Sequence, residues 1–136
     1  MTAAIIDCPC GGGKYAQCCG RYHNGDDVAP TALALMRSRY SAYVMDLGDY
    51  LWVTWHRSTR PQESIVAEAG VKWLGLDVRR HEADGDSATV EFVARYKIGG
   101  RAERLHEVSR FVREYETGAD GLPRWFYVDG SFPGKK

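Results

Sequence analysis

All four cysteines of the chain fall in one short stretch, as a Cys-x-Cys pair followed by an adjacent pair. Cysteines this close in sequence do not readily bond each other, so disulfides would have to cross between the two pairs. The glycines at 11–13 accept positive φ and let the chain fold back, and their amides can point at thiolate sulfurs. The stretch predicts a closed, structural zinc site with four thiolate ligands, namely Cys8, Cys10, Cys18 and Cys19. Cross-paired disulfides and free thiols are the alternatives; zinc is favoured because a chain without a secretion signal stays in a reducing compartment.

The length and charge of the chain exclude several classes of protein. With 136 residues, it is long enough for one domain that buries its own core. Its 18 Lys and Arg balance its 18 Asp and Glu. This balance argues against nucleic acid as a partner, because the surfaces of proteins that bind nucleic acid are usually basic. We find no apolar run of the roughly 20 residues that span a membrane and no signal peptide at the start. We therefore expect a cytoplasmic protein that does not contact a membrane.

Residues 30–70 have the character of three helices. Thr31 is an N-cap candidate, and apolar residues then recur at helical spacing until Gly48, which we expect to end the first helix. Asp49 can cap a shorter helix that runs through Trp55. Pro61 suits the first position of a third helix, which would end at Gly70.

The segment between the cysteines and the first helix, residues 20–30, is dense in turn residues and predicts a linker. His23 lies in this segment. We expect it to face solvent, because four thiols already complete a zinc shell; the alternative is that it replaces one of them as a ligand. We divide the chain into residues 1–24, which contain the cysteine stretch, and residues 25–136.

The second half of the chain has strand character. Residues 88–97 alternate between apolar and polar, and Gly99-Gly100 predicts a tight hairpin turn after them. Turns are also predicted at residues 84–86 and 118–123. They separate four predicted strands, at 71–80, 88–97, 103–115 and 124–129. Helices followed by an antiparallel meander predict an α+β fold in which helices pack on one face of a curved sheet.

Particular segments carry a resemblance to known proteins. Cys8-Pro-Cys-Gly, followed by Cys18-Cys-Gly20, resembles the SEC-C motif, a zinc knuckle also found at the C-terminus of the secretion ATPase SecA. We call residues 8–20 the knuckle. Other segments resemble the small bacterial YchJ-like family, which is uncharacterised: Leu35-Met-Arg-Ser-Arg-Tyr-Ser-Ala-Tyr-Val44, Asp49-Tyr-Leu with Thr54-Trp-His56, Trp73-Leu-Gly-Leu76, Ser109-Arg-Phe-Val112 and Trp125-Phe-Tyr-Val-Asp-Gly130.

This resemblance runs from Cys8 to Gly130 and implies the cone-shaped fold of the nuclear-transport-factor-two-like superfamily for residues 30–130. The chain departs from the usual SEC-C pattern in two ways. The loop between the cysteine pairs is one residue shorter, with Gly12 where a serine is usual, and no second SEC-C motif follows near Pro133. The resemblance therefore implies a small N-terminal zinc knuckle on a cone domain.

Two functions remain open at this point. A zinc ion held by four cysteines has no open position for water and should not be catalytic, so we assign no catalytic residue. SEC-C knuckles in other proteins dock partners, which implies an accessory or adaptor protein that docks a cytoplasmic protein partner. The alternative to docking is that the knuckle only orders the N-terminal part of the chain.

The second function is small-molecule binding, or an enzyme activity, in the interior of the cone. Imidazoles there could act as bases and guanidinium groups could hold an anion. The candidate pocket residues are Arg37, Tyr40, Trp55, His56, His106 and Arg110. The alternatives are core packing of the rings, a helix-end position for His56 and pairing of Arg110 with a buried glutamate. Cone folds of this kind often pair through their sheets, so a homodimer is also expected.

Overall fold

Short helices precede a four-stranded antiparallel sheet in the computed structural model, which describes residues 6–63, 70–114 and 123–133. After a 3-10 turn at Tyr15–Gln17, the elements are α1 (Cys19–His23), α2 (Ala32–Met45), α3 (Gly48–Val53), β1 (Val71–Asp84), β2 (Ser87–Ile98), β3 (Arg101–Glu114) and β4 (Arg124–Ser131). Helices packed against an antiparallel sheet confirm the predicted α+β plan. No helix among the described residues is long and apolar enough to cross a membrane.

The sheet is a simple meander in the order β1-β2-β3-β4, with every neighbouring pair antiparallel. Gly99 and Gly100 join β2 to β3 with φ of 58° and 80°, the left-handed conformation that glycine adopts at little cost. Register shifts interrupt the pairing twice in β1 and once in β4, where Val128 is the extra residue opposite Arg110 and Phe111. Such bulges bend strands and increase their twist, and the sheet thereby acquires a concave face that receives α2.

Helix α2 begins as predicted but ends earlier. The Thr31 hydroxyl accepts a hydrogen bond from the Ala34 amide at 3.0 Å, which confirms its role as N-cap. The prediction that Gly48 ends this helix is wrong. Asp46 is the C-cap, in the left-handed conformation at φ 59°, and Gly48 is instead the first residue of α3. An aspartate can take this conformation because its short polar side chain bonds locally.

The expected linker at residues 20–30 is partly helical, because α1 reaches His23. The helix predicted over residues 61–70 and the turn predicted at 118–123 fall mainly on residues outside the described ranges. The chain after α3 pairs with β4 instead, since the Tyr127 amide donates to Thr54 O at 2.9 Å and the His56 amide donates to Tyr127 O at 2.7 Å. This pairing closes one side of the cone.

The hydrophobic core lies between α2 and the concave face of the sheet. Its buried members from the cone include Leu35, Met36, Tyr40, Val90, Phe92, Phe111 and Trp125. Three knuckle cysteines, Cys8, Cys10 and Cys19, belong to the same cluster of buried residues and are at most 4% exposed. The knuckle therefore packs against the cone rather than standing apart from it.

Candidate functional site

The four cysteine sulfurs converge on one point. Cys10 Sγ lies 3.5 Å from Cys18 Sγ and 3.7 Å from Cys19 Sγ, and all four sulfurs, Cys8 included, lie within 4.8 Å of one another. All four are free thiols, so the cross-paired disulfides that the sequence left open do not form here. Tetrahedral coordination with Zn–S bonds of about 2.3 Å requires sulfurs about 3.8 Å apart. The cluster has the spacing and ligand type that hold a metal ion.

A tight turn brings the first cysteine pair to this point. The Cys8 amide donates to Gly13 O at 2.7 Å, and the Gly11 amide donates to Cys8 O at 2.9 Å. Gly12 passes so close to the sulfurs that a Cβ on it would lie 2.9 Å from Cys18 Sγ. The shortened loop therefore requires glycine where the usual motif has serine, because a side chain would press on the cluster.

Helix α2 holds the knuckle in place through two side chains. Cys8 Sγ lies 3.4 Å from Ser41 Oγ on α2, and Arg37 Nη1, also on α2, donates to Cys10 O at 3.0 Å. Both contacts are made by residues on the α2 face that turns away from the sheet. One helix thus separates the cysteine cluster from the interior of the cone and touches both.

His23 links the knuckle to α2, and the prediction that it faces solvent is wrong. Its Nε2 donates to Ser38 O at 2.8 Å, which leaves Nδ1 to accept from the Tyr15 hydroxyl at 2.6 Å. The ring also meets Tyr50 edge to face, with centroids 4.7 Å apart. Burial lowers the pKa of His23, since the surroundings disfavour the charged imidazolium. The residue is a neutral clamp, and it lies outside the sulfur cluster.

The sulfurs differ in how readily they give up a proton. A hydrogen bond from the Cys19 thiol lowers the pKa of Cys10 to about 4, with smaller contributions from Cys18, Cys8 and the Gly12 amide. Burial, with the neighbouring Cys10, raises the pKa of Cys18 to about 11, and the bond donated to Cys10 raises that of Cys19. Cys10 therefore carries negative charge easily while Cys18 and Cys19 keep their protons, and a bound metal would displace those protons.

The cone encloses a second candidate site, a cavity of about 230 Å³ between α2 and the concave face of the sheet. Of the six predicted pocket residues, Tyr40 lines this cavity and the other five lie elsewhere. Arg37 points to the knuckle, as described above. Trp55 packs edge to face on Tyr127 with centroids 5.1 Å apart, and its indole N–H has no hydrogen-bond partner among the residues that the structure describes.

His56 lies near the end of β3, outside the cavity lining. Its Nε2 donates to Glu114 Oε2 at 2.6 Å, and its Nδ1 accepts from the Ser58 amide at 3.1 Å and lies 2.7 Å from the Ser58 hydroxyl. The hydrogen bond from His56 lowers the pKa of Glu114. These contacts order the turn after α3.

His106 and Arg110 lie on the face of β3 that points away from the cavity. His106 Nε2 donates to Glu91 Oε2 at 2.7 Å on the neighbouring strand. Arg110 makes two parallel hydrogen bonds to Asp129, of 2.6 and 2.7 Å. The alternative of a buried glutamate partner for Arg110 is therefore wrong, because its partner is an exposed aspartate on β4. The bond lowers the pKa of Asp129.

The polar groups that do line the cavity were missed by sequence reasoning: Arg39, Glu107, Ser109 and Tyr127. Two signals could have found the first three of these residues. Glu107 and Ser109 stand at alternate positions between Leu105 and Phe111 on β3, and alternate residues share a face. Arg39 is three residues from Met36 on α2, so both lie on one side of the helix.

Comparisons with known proteins agree with this architecture. A family model described as the middle, nuclear-transport-factor-two-like domain of YchJ matches residues 31–130. A UPF0225 protein of Cupriavidus metallidurans is 59% identical over 126 residues, 90% of this chain and 86% of the relative. A UPF0225 protein of Ralstonia nicotianae is 59% identical over 133 residues, 94% of this chain and 92% of the relative.

Two solved structures are also similar. The solution structure of a SEC-C motif protein from Rhodopseudomonas palustris, 32% identical, superposes with a TM-score of 0.76 over 93% of this chain and 98% of that one. The crystal structure of a SEC-C motif protein from Psychrobacter arcticus, 27% identical, superposes with a TM-score of 0.79 over 100% of this chain and 88% of that one. The second similarity covers the whole chain, and so includes the knuckle as well as the cone.

Proposed function

Because the chain belongs to the YchJ-like UPF0225 family and is similar in structure to SEC-C motif proteins, we propose that it binds one zinc ion through its four cysteines. The observation that carries this proposal is the convergence of the four sulfurs to within 4.8 Å of one another. Thiolates are soft ligands, and four of them in tetrahedral reach favour zinc over the hard cations that prefer oxygen.

The role we propose for the ion is structural. All four ligand positions are filled by protein, and three of the four cysteines are buried, so water and substrate have no coordination site. Zinc would fix the geometry of the knuckle. The knuckle contacts Ser41 and Arg37 of α2, and His23, which follows the knuckle, donates a hydrogen bond to Ser38 O on the same helix. Because α2 also forms one wall of the cavity, the metal would stabilise the cone as well as its N-terminal appendage.

Elemental analysis of protein produced with zinc available tests this proposal. We expect about one zinc per chain, protection of the four thiols from a thiol reagent, and loss of both with a strong chelator. Cys10→Ser should abolish zinc retention, whereas Ser41→Ala, which removes only a hydroxyl beside Cys8, should retain it. A folded chain that carries no zinc and has four reactive thiols would contradict the proposal.

Docking of a protein partner through the knuckle remains a prediction. Its outer surface is formed by exposed residues of the turn, 11–14, together with Gln17 and Arg21. Deleting residues 1–24 would be a poor test, because Cys8, Cys10 and Cys19 belong to the same core as the cone. Substituting Gln17 and Arg21 by alanine keeps that core. Capture of a partner that is unchanged by these substitutions would count against docking at this surface.

A further inference from the structure

We propose that the cone cavity binds a small, flat, uncharged molecule that presents a hydrogen-bond acceptor to Arg39 and a hydrogen-bond donor to Glu107. A primary aromatic amide is the simplest molecule of this class. The proposal is independent of the zinc site and rests on the chemistry of the cavity wall.

Arg39 is a buried cation with unused donors. It is 5% exposed, and burial lowers its pKa. Its Nη1 donates to Leu51 O at 2.8 Å and to Thr54 Oγ1 at 2.6 Å. Among the described residues, Nε and Nη2 have no hydrogen-bond partner and no carboxylate lies within ion-pair distance. These two nitrogens form one edge of the guanidinium, with parallel N–H groups that suit an oxygen acceptor.

Glu107 supplies the complementary acceptor. It is 8% exposed, and its Oε2 accepts from the Ser109 hydroxyl at 2.6 Å and from the Tyr127 hydroxyl at 3.2 Å. Two donors on one oxygen hold the group as an acceptor. No partner for its Oε1 occurs in the part of the chain that the structure describes. Gly130 makes room for this arrangement, because a Cβ there would lie 2.7 Å from Glu107 Cδ.

Tyr127 contacts both charged groups, with Arg39 over the face of its ring and Glu107 at its hydroxyl. The Arg39 guanidinium lies 4.6 Å from the ring centre, while Glu107 bonds to the hydroxyl. Both groups also line the same cavity, so one small molecule in it can reach both. They also balance each other in charge. A ligand with net charge would leave an uncompensated charge in a buried site, which is costly, so the cavity favours a neutral ligand with a dipole.

The remaining walls favour a flat apolar body. They are formed largely by aromatic side chains, namely Tyr40, Tyr43, Trp73, Phe92 and Phe111. A volume of about 230 Å³ is that of seven or eight water molecules at about 30 Å³ each, which admits a single substituted ring. Tyr43 is 38% exposed, and it marks the side from which such a molecule would enter.

Titration of the isotope-labelled full-length protein, followed by NMR, tests the proposal with four probes that share one ring: benzamide, benzoate, benzylammonium and toluene. We expect benzamide to shift the amides of Tyr40, Phe92 and Glu107 and to bind about tenfold or more tightly than the other three. Equal affinity for toluene would show that the polar groups play no part, and equal or tighter binding of benzoate would show an anion site. Either result, or no binding of benzamide, overturns the proposal.

Glu107→Gln supplies the decisive variant. The glutamine has the same shape, and it removes the negative charge that excludes an anion, so we expect benzoate to gain about tenfold in affinity. The matched control is His106→Gln, which changes the neighbouring residue on the opposite face of β3 and should leave all four affinities unchanged. The amide spectrum of each variant verifies its fold. Benzoate affinity that does not rise in folded Glu107→Gln would refute the assigned role of this carboxylate.

Discussion

His23 offers the sharpest test of how the knuckle is joined to the cone. We predict that His23→Leu, which keeps a side chain of similar size, lowers the free energy of unfolding by about 2–3 kcal/mol. The substitution removes the hydrogen bonds to Ser38 O and from the Tyr15 hydroxyl, of 2.8 and 2.6 Å, each worth about 1 kcal/mol. It also removes the edge-to-face contact with Tyr50, worth about 0.5–1 kcal/mol.

The effect of this substitution should depend on pH. Burial lowers the pKa of His23 below its ordinary value of 6.5, so the unfolded chain binds a proton that the folded chain resists. The contribution of His23 is therefore complete above pH 6.5 and is lost as pH falls below it. We expect the difference in stability between the wild-type protein and His23→Leu to be largest at pH 7.5 and to shrink toward pH 5.5.

Thermal unfolding followed by circular dichroism at saturating zinc measures both effects. For a chain of this length, 1 kcal/mol corresponds to about 4 °C in Tm, so the expected loss is roughly 8–12 °C at pH 7.5. His81→Leu is the matched control, because it makes the same substitution at an exposed position on β1. If His23→Leu has the wild-type Tm, or if the difference in Tm between the two proteins stays constant with pH, the proposed stabilising role of His23 is refuted.

Two further predictions concern the sheet. Gly130→Ala should lower the free energy of unfolding by about 1–3 kcal/mol, because the added Cβ would lie 2.9 Å from Glu107 Cγ. Gly75→Ala is the control, because a Cβ there meets no atom within 4 Å. Equal denaturant midpoints for the two variants would contradict the prediction for Gly130. Glu114→Gln should lower the free energy of unfolding by about 0.5–1 kcal/mol at pH 7. The hydrogen bond from His56 lowers the pKa of Glu114 below 4.5. The wild-type protein should therefore lose this stability as pH falls through the lowered pKa, whereas the variant should not. An acid-unfolding curve of equal steepness in both proteins would contradict this.

Features set by local chemistry could be predicted from the sequence. The Thr31 cap, the Gly99–Gly100 turn and the alternation of β2 depend on residues close together in the chain, and the structure confirms all three. The convergence of the cysteines was predictable for the same reason, since a glycine-rich loop of fixed length joins the two pairs. Each of these features depends on residues in one short segment of the chain, so it can be predicted without knowing how distant segments pack.

The choice between Arg37 and Arg39 required packing that the sequence does not contain. Helix α2 is covered on two sides, by the knuckle near Ser41 and by the sheet near Met36 and Tyr40. A helix buried on both sides has no single polar stripe, and periodicity cannot show which arginine enters the core. Only the position of the knuckle explains why Arg37 turns outward to a cysteine carbonyl while Arg39 turns inward.

Strand β3 shows how far the pattern alone could have gone. Adjacent residues of a strand point to opposite faces, and in the structure His106 pairs with Glu91 on the outer face while Glu107 lines the cavity. The inner face was the one marked by Leu105 and Phe111, and the two residues between them on that face are polar. Polar residues on a core-facing side of a strand occur mainly at functional sites. The polar residues Glu107 and Ser109 on the inner face of β3 therefore indicate the cavity, and His106 on the outer face does not.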